Sequence, residues 1–380
     1  MYDYIIVGAG LAGIVMAERI ANILDQEVLL IEKRSQIGGN CYDFYDDYGV
    51  LIHKYGPHIF HTDLGEVWQY LSQFTKWYDY EHQVLGFIDG KKAPIPFNLN
   101  SLHQLFPENL AKKLEAKLKN KFGYDVKIPI LELKKFDDEE LRFLADYIYN
   151  KVFLNYTKKQ WGMEPEDLDP SVTARVPVYI SRDNRYFQDK FQGLPLDGYT
   201  KMFKNMLSSE KIKLKLKTDS KKIIKFDDNE FKVFGEKFNG KLIYTGKVDE
   251  LFNYHYGELP YRSLNFELRN INQEYCQQVG TINYPNDYEY TRITEFKHLT
   301  GQKIATTTIA REYPEKYVKE KNIPYYPVPR KENRELYQKY LESCSQFENI
   351  ILIGRLAEYR YYNMDEMVAA ALKTFKEMLM

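Results

Sequence analysis

The chain opens with an apolar run from Tyr2 to Val7, breaks at Gly8 and Gly10, continues as an apolar helical stretch to about Leu24, and returns to an apolar run that ends at Glu32. Two short continuous runs joined through a helix predict a βαβ unit whose strands are buried on both faces. From about Leu64 to Tyr156 the period is mostly helical. Leu110, Leu114, Leu118 and Phe122 share one face, and Asp137 or Asp138 is placed to cap a helix carrying Leu141, Leu144 and Ile148. After about Arg175 the pattern turns to strands. Ile212, Leu214 and Leu216 alternate with lysines, and strand-like runs recur near 222–234, 261–268, 279–284, 290–296 and 303–310. With no long helices between them, they predict an antiparallel sheet. Asn349 to Leu352 reads as a further buried strand, and Val368, Ala371, Leu372, Phe375 and Leu379 line one face of a closing helix. That last strand, loop and helix suit the first unit, to which the chain is expected to return.

Composition narrows the function classes. The 380 residues suit two or three domains, and 53 Lys and Arg against 54 Asp and Glu give a net charge of -1. Nothing in that balance draws the chain to nucleic acid or to an anionic membrane. Cys41, Cys276 and Cys344 are scattered and lack metal-ligand spacing, which predicts a reducing compartment, the cytosol, and no structural metal. The first strand begins too early to leave room for a signal peptide, and no run approaches the ~18 apolar residues of a membrane span, so no membrane insertion is expected. The 33 tyrosines are the one oddity. Tyr pairs a flat apolar ring with a polar tip, useful against bases and sugars, although biased composition explains the excess equally well.

The turn Gly8-Ala9-Gly10-Leu11-Ala12-Gly13 carries the strongest chemistry. Gly8 permits the tight turn, Gly10 lets a pyrophosphate approach the backbone, and Gly13 allows close packing of helix on sheet. The helix N-terminus supplies free N–H groups to the diphosphate. About twenty residues on, Glu32 is placed to accept from ribose hydroxyls. The segment from Glu32 through Lys33 to Ile37-Gly38-Gly39-Asn40 resembles the one that follows the second strand in FAD-containing amine-oxidase-like proteins, and Gly354-Arg355 resembles their second flavin-contacting segment. Both favour FAD over NAD. In Tyr55-Gly56-Pro57-His58-Ile59-Phe60-His61-Thr62 the two histidines three apart read as donors to an electron-rich ring, as a metal pair lacking a third ligand, or as packed loop residues.

Taken together, the sequence resembles the bacterial UDP-galactopyranose mutases over essentially its whole length. The motifs are the glycine triad, 37–40, 56–62, Tyr156-Thr157-Lys158-Lys159-Gln160-Trp161-Gly162, 175–178, 184–187, 191–195, 198–200, 244–246, 261–264, 290–295, 324–327 and 354–356. The resemblance implies an α/β fold: a Rossmann-like FAD-binding domain with a helical insertion domain and an antiparallel sheet domain. The expected division is 1–63 and 331–380 for FAD, 64–175 for a mainly helical substrate and mobile-loop domain, and 176–330 for the sheet with returning FAD-binding segments.

By the same resemblance, Arg175 and Arg292 clamp a UDP-sugar diphosphate, for which guanidinium forks are suited. Phe153 and Tyr156 wall the uracil, Asn283 hydrogen-bonds the nucleotide, Thr157 and Trp161 belong to the substrate-side loop, and Tyr186, Tyr326 and Tyr361 reach the diphosphate. His61 tunes the flavin. His58, Ile59, Ala12, Lys33, Gly39, Asn40, Leu214, Arg355, Tyr362, Asn363 and Met364 join Gly8, Gly10, Gly13 and Glu32 around the cofactor. The implied reaction interconverts UDP-galactopyranose and UDP-galactofuranose, the donor for cell-surface polysaccharide, through a reduced-flavin N5 adduct with no net redox change. A homodimer is common in the family. Three positions depart from it: Asn363 stands where relatives commonly carry Asp, His82, facing the sugar, where they often have a small amide, and Val152 where an aromatic is frequent. These keep open another sugar, such as UDP-N-acetylgalactosamine. A net-redox amine-oxidase-like flavoenzyme is the competing class, and leaves the arginine and Trp161 motifs unexplained.

Overall fold

The computed structural model describes residues 2–168, 177–227 and 230–378. Its centre is a five-stranded parallel sheet in the order Ile212–Lys215, Val28–Ile31, Tyr4–Val7, Lys241–Tyr244, Ile350–Leu352. Tyr4–Val7 and Val28–Ile31 are buried along their whole length because both sheet faces are covered. Ile6, Val28, Leu30 and Ile243 face the helices Leu11–Ile23 and Met364–Glu377. Ile5, Leu29, Ile31 and Leu242 face a small meander of three strands between Ile224 and Lys237, through Ile224, Phe231 and Val233. Strand Ile350–Leu352 and the closing helix therefore return to the first unit as expected; Leu379 lies outside the described residues.

The second large element is a seven-stranded sheet, ordered Tyr326–Pro327, Tyr261–Ile271, Thr307–Lys316, Arg292–Glu295, Thr281–Asn283, Val84–Ile88, Lys91–Ile95. It corrects two expectations. Val84–Ile88 runs parallel to Thr281–Asn283, so the sheet is mixed. Its last two strands come from 84–95, inside the stretch read as mostly helical. Alternation identifies a strand but says nothing of the direction or identity of its neighbour. The same limit applies to Ile212–Lys215, which is an edge of the parallel sheet and belongs to no antiparallel one.

Between the strands stand the helices. Asn98 caps Leu99–Leu105, and Asp138 caps Glu139–Ile148 by accepting from the amides of Glu140 and Leu141. Leu114 and Leu118 of Glu108–Phe122 pack on Leu141, Leu144 and Ile148 in one core, the face that the sequence pattern marked. The helix then widens into a π-helical turn, Tyr149–Leu154, before continuing as Asn155–Trp161. Such turns shift the phase of a helix and occur often at functional sites. No helix among the described residues is long and apolar enough to cross a membrane.

Candidate functional site

A cleft opens at the carboxyl ends of the parallel strands, where ligands of such sheets bind. Its floor is two glycines. Gly10, at the N-terminus of Leu11–Ile23, faces Gly39, whose added Cβ would lie 2.9 Å from the Gly10 Cα; a Cβ on Gly10 would instead stand clear, with nothing nearer than 3.8 Å. Gly13 does not border the cleft, because its place is against the Gly8 carbonyl, 2.0 Å from where a Cβ would sit. Gly8, Ala12, Glu32, Lys33, Asn40, His58, Arg355, Tyr362, Asn363 and Met364 all border it. Glu32 is buried and already accepts from the Ala9 amide at 2.9 Å and the Arg34 amide at 2.8 Å. Each carboxylate oxygen keeps a second lone pair for a ribose hydroxyl.

Leu214 is a correction. It is 37% exposed on the outer strand and does not border the cleft. Thr218, Asp219 and Ser220, just beyond that strand, line it instead, with Thr245 and Gly246. A ligand at a strand's carboxyl end meets the residues that follow the strand, and strand alternation cannot point to them.

Asn40, His58, Tyr325, Arg355, Asn363 and Met364 also border a second cavity of about 560 Å3, so the two spaces adjoin. One wall of it is a row across the mixed sheet. Gly86, Asn283, Arg292 and Glu312 are register neighbours on four successive strands and so share a face. Gly86, Asn283 and Arg292 all border the cavity. The Arg292 Nε donates to Glu312 Oε2 at 2.7 Å. Burial opposes the charge of Arg292, but the Glu312 carboxylate together with the Tyr156 and Tyr326 phenols outweighs it and raises the guanidinium's pKa.

The opposite wall comes from the π-helical turn and its helix: Val152, Phe153, Tyr156, Thr157, Gln160 and Trp161. Burial raises the Tyr156 phenol, which therefore stays protonated. Arg262 donates to the carbonyls of Gln160 at 2.9 Å and Lys159 at 3.1 Å, and the Lys159 ammonium donates to the carbonyls of Tyr284 and Asn286 at 2.9 Å each. The helix is thus tied to both sides of the sheet. At the far end, Tyr326 stacks on Tyr361 with centroids 5.9 Å apart, Trp161 tilts against Tyr326, and the Arg355 guanidinium lies 4.8 Å over the Tyr361 ring. Burial pushes the Tyr326 hydroxyl up to about 12.

The histidine loop closes the junction. The His58 Nδ1–H donates to the Gly56 carbonyl at 2.8 Å, and burial lowers the His58 imidazole to about 3. Ile59, His61, His82, Tyr186 and Phe187 border the second cavity. His61 stacks on Phe187 at 3.6 Å. The structure thus gathers every expected substrate residue except Arg175, which lies outside the described residues. Sequence reading missed Gln160, Phe187, Glu312, Tyr325 and Thr245. Gln160, Phe187, Thr245 and Tyr325 fall inside quoted motifs, whereas Glu312 has no local signal.

Fold and clefts together define a dinucleotide-binding enzyme with an adjoining chamber built for a polar, anionic ligand. The comparisons agree. A family model described as UDP-galactopyranose mutase matches residues 151–361, and one for an NAD(P)-binding Rossmann-like domain matches 6–74. A "Probable UDP-galactopyranose mutase" of Klebsiella pneumoniae is 36% identical over 379 residues, covering 99% of this chain and 94% of its own. A dTDP-fucopyranose mutase of Escherichia coli is 34% identical over 378 residues, covering 98% and 97%. A solved reduced UDP-galactopyranose mutase superposes with a TM-score of 0.75 at 17% identity, covering 100% of this chain and 94% of its own. The chain belongs to the UDP-galactopyranose mutase family, a family of isomerases. Members are flavoproteins, and the first cleft fits FAD: Gly10 leaves its floor open, helix N–H groups face it, and the buried Glu32 carboxylate borders it with lone pairs to spare.

Proposed function

We propose that this protein interconverts UDP-galactopyranose and UDP-galactofuranose with no net redox change, providing furanose donor for cell-surface polysaccharide in the cytosol. The observation that supports it best is the anchored, half-buried Arg292 in a chamber that opens onto the dinucleotide cleft. Reduced FAD, when bound, supplies a nucleophile for the anomeric carbon of the sugar. The chain's own residues do the rest. Arg292, with Arg175 as the second clamp, holds the diphosphate as it leaves and returns, and Tyr186, Tyr326 and Tyr361 donate hydroxyl hydrogen bonds to it. Phe153 and Tyr156 stack the uracil, Asn283 hydrogen-bonds the nucleotide, and Thr157 and Trp161 carry the wall that closes over it. His82 contacts the sugar, and His61 adjusts the flavin. Exclusion of water protects the glycosyl group from hydrolysis while it is detached from UDP.

We assign residues 1–63 and 331–380 to holding FAD, 64–175 mainly to gripping substrate, with 84–95 lent to the mixed sheet, and 176–330 to the rest of that sheet with returning FAD-binding segments. A homodimer is the assembly we expect. The deciding experiment follows UDP-galactofuranose and UDP-galactopyranose by chromatography, with and without dithionite. Conversion only in the reduced enzyme is the expected result; rapid oxygen consumption with an amine would favour a net-redox enzyme. The near-equal identity to a dTDP-fucopyranose mutase and the His82 side chain in the chamber favour a second reading, a mutase of another nucleotide sugar. Assays with UDP-N-acetylgalactosamine and dTDP-fucose in parallel distinguish it.

A further inference from the structure

Besides His58 at the junction, two imidazoles, His61 and His82, border the second cavity, and each meets a different kind of group at Nδ1. Phe187 lies against both, with ring centroids 3.6 Å from His61 and 6.1 Å from His82. Nδ1 of His61 is buried and 3.2 Å from Oδ2 of Asp189, within ion-pair range but off the line of a hydrogen bond. Nδ1 of His82 is 3.1 Å from the Tyr80 hydroxyl. A carboxylate can only accept, so of the two neutral tautomers of His61 its field favours the one with the proton on Nδ1 and the lone pair on Nε2. The contact with His61 is the main cause holding the Asp189 carboxyl below its ordinary range, which keeps it ionised.

At His82 the logic reverses. Burial lowers its imidazole to about 3 and raises the Tyr80 phenol, so both are neutral at pH 7. A phenol is a stronger donor than a neutral imidazole. Tyr80 therefore gives its hydrogen to Nδ1, and His82 carries its own proton on Nε2.

We propose that Asp189 and Tyr80 are positioning residues that hold His61 and His82 in opposite tautomers, so that this pair presents an acceptor, His61 Nε2, beside a donor, His82 Nε2–H. A sugar hydroxyl donates and accepts at once and matches such a pair, whereas a deoxy position leaves both nitrogens without a partner. The inference rests on reading this cavity as a sugar-nucleotide site. It gives that site two polarity-setting residues which touch neither cofactor nor substrate themselves.

The test is two-bond 1H–15N correlation spectroscopy of the flavin-loaded enzyme labelled at its seven histidines, with the two signals assigned by their loss in His61→Gln and His82→Gln. The wild type is expected to show His61 protonated at Nδ1 and His82 at Nε2. In Asp189→Asn the amide donates to Nδ1 and His61 switches to the Nε2–H form, as tautomers do when such an orienting carboxylate is replaced. Asp189→Glu retains the wild-type form and guards against a folding artefact, and Tyr80→Phe leaves His82 as a mixture. Asp189→Asn is further expected to lower kcat at least tenfold with UDP affinity within threefold. An Nε2–H His61 in the wild type, or an unchanged tautomer in a folded Asp189→Asn, overturns the proposal. Opposite tautomers in a protein that turns over no nucleotide sugar would sustain the orienting role and sink the functional reading instead.

Discussion

Oε2 of Glu312 accepts a 2.7 Å hydrogen bond from Nε of Arg292, strand to strand, in a pair where Glu312 is 1% exposed. The guanidinium is thereby fixed by its inner edge and keeps its outer nitrogens for a ligand. Arg292→Ala is expected to abolish turnover while FAD stays bound. It also strands a buried carboxylate, at a cost of about 3–5 kcal/mol. Arg292→Lys separates the two effects, since it keeps a charge near Glu312 but loses the fork. Turnover on the order of 100-fold below wild type is expected, with an unchanged flavin spectrum; near-normal turnover would contradict the clamp.

Gly10 offers a test of the cofactor cleft that spares the fold. Its φ is -83°, which any residue adopts, and an added Cβ meets nothing closer than 3.8 Å. Gly10→Ala should melt like the wild-type apoprotein yet purify colourless, because the methyl occupies the path of the pyrophosphate. Full flavin content, read from absorbance near 450 nm, would show that the cleft places its ligand elsewhere.

Tyr156 is expected to stack on the base. Removing an aromatic platform costs about 1–3 kcal/mol per base, so Tyr156→Ala should raise the Kd for UDP by roughly 5- to 150-fold. Tyr156→Phe should recover most of that loss. Titration calorimetry with UDP checks both, and equal affinities of Ala and wild type would remove Tyr156 from the uracil wall.

Acid should unfold this protein early. Burial lowers His53 to about 4 and His82 to about 3, both beneath the 6.5 of an exposed imidazole. Each is neutral in the fold, whereas the unfolded chain takes up protons below about pH 6.5. Stability from these groups is complete above pH 6.5 and falls as the pH drops towards 4, by about 1.4 kcal/mol per unit for each histidine. Urea denaturation between pH 7 and 4.5 should give a steeper fall for the wild type than for His53→Asn; equal slopes would exclude His53 as a source.

The sequence by itself determined the first βαβ unit of the dinucleotide half of the molecule. A glycine triad, the strands on either side and the acid beyond them are local features, and the geometry they demand is set by backbone sterics and by free N–H groups within a few residues. It also determined the helix faces, since Leu114, Leu118, Leu141 and Leu144 repeat with the helical period and are buried together. Arg292 and Asn283 were legible only through family resemblance, because nothing in a lone arginine or asparagine shows what it faces.

Tertiary structure decided the rest. Glu312 acquires meaning only from strand register, which sets it beside Arg292, and the parallel pairing of Val84–Ile88 with Thr281–Asn283 is what brings Gly86 into the same row. Alternation along a strand records which face is buried but neither the direction nor the identity of the neighbour. Leu214 marks the same boundary: its strand was readable, but only the sheet shows that the cleft is met beyond the strand's end, at Thr218 to Ser220. Asp189 and Tyr80 likewise became orienting candidates only when the fold set them beside His61 and His82, because a polar contact between side chains depends on distances of a few ångströms that no local pattern encodes.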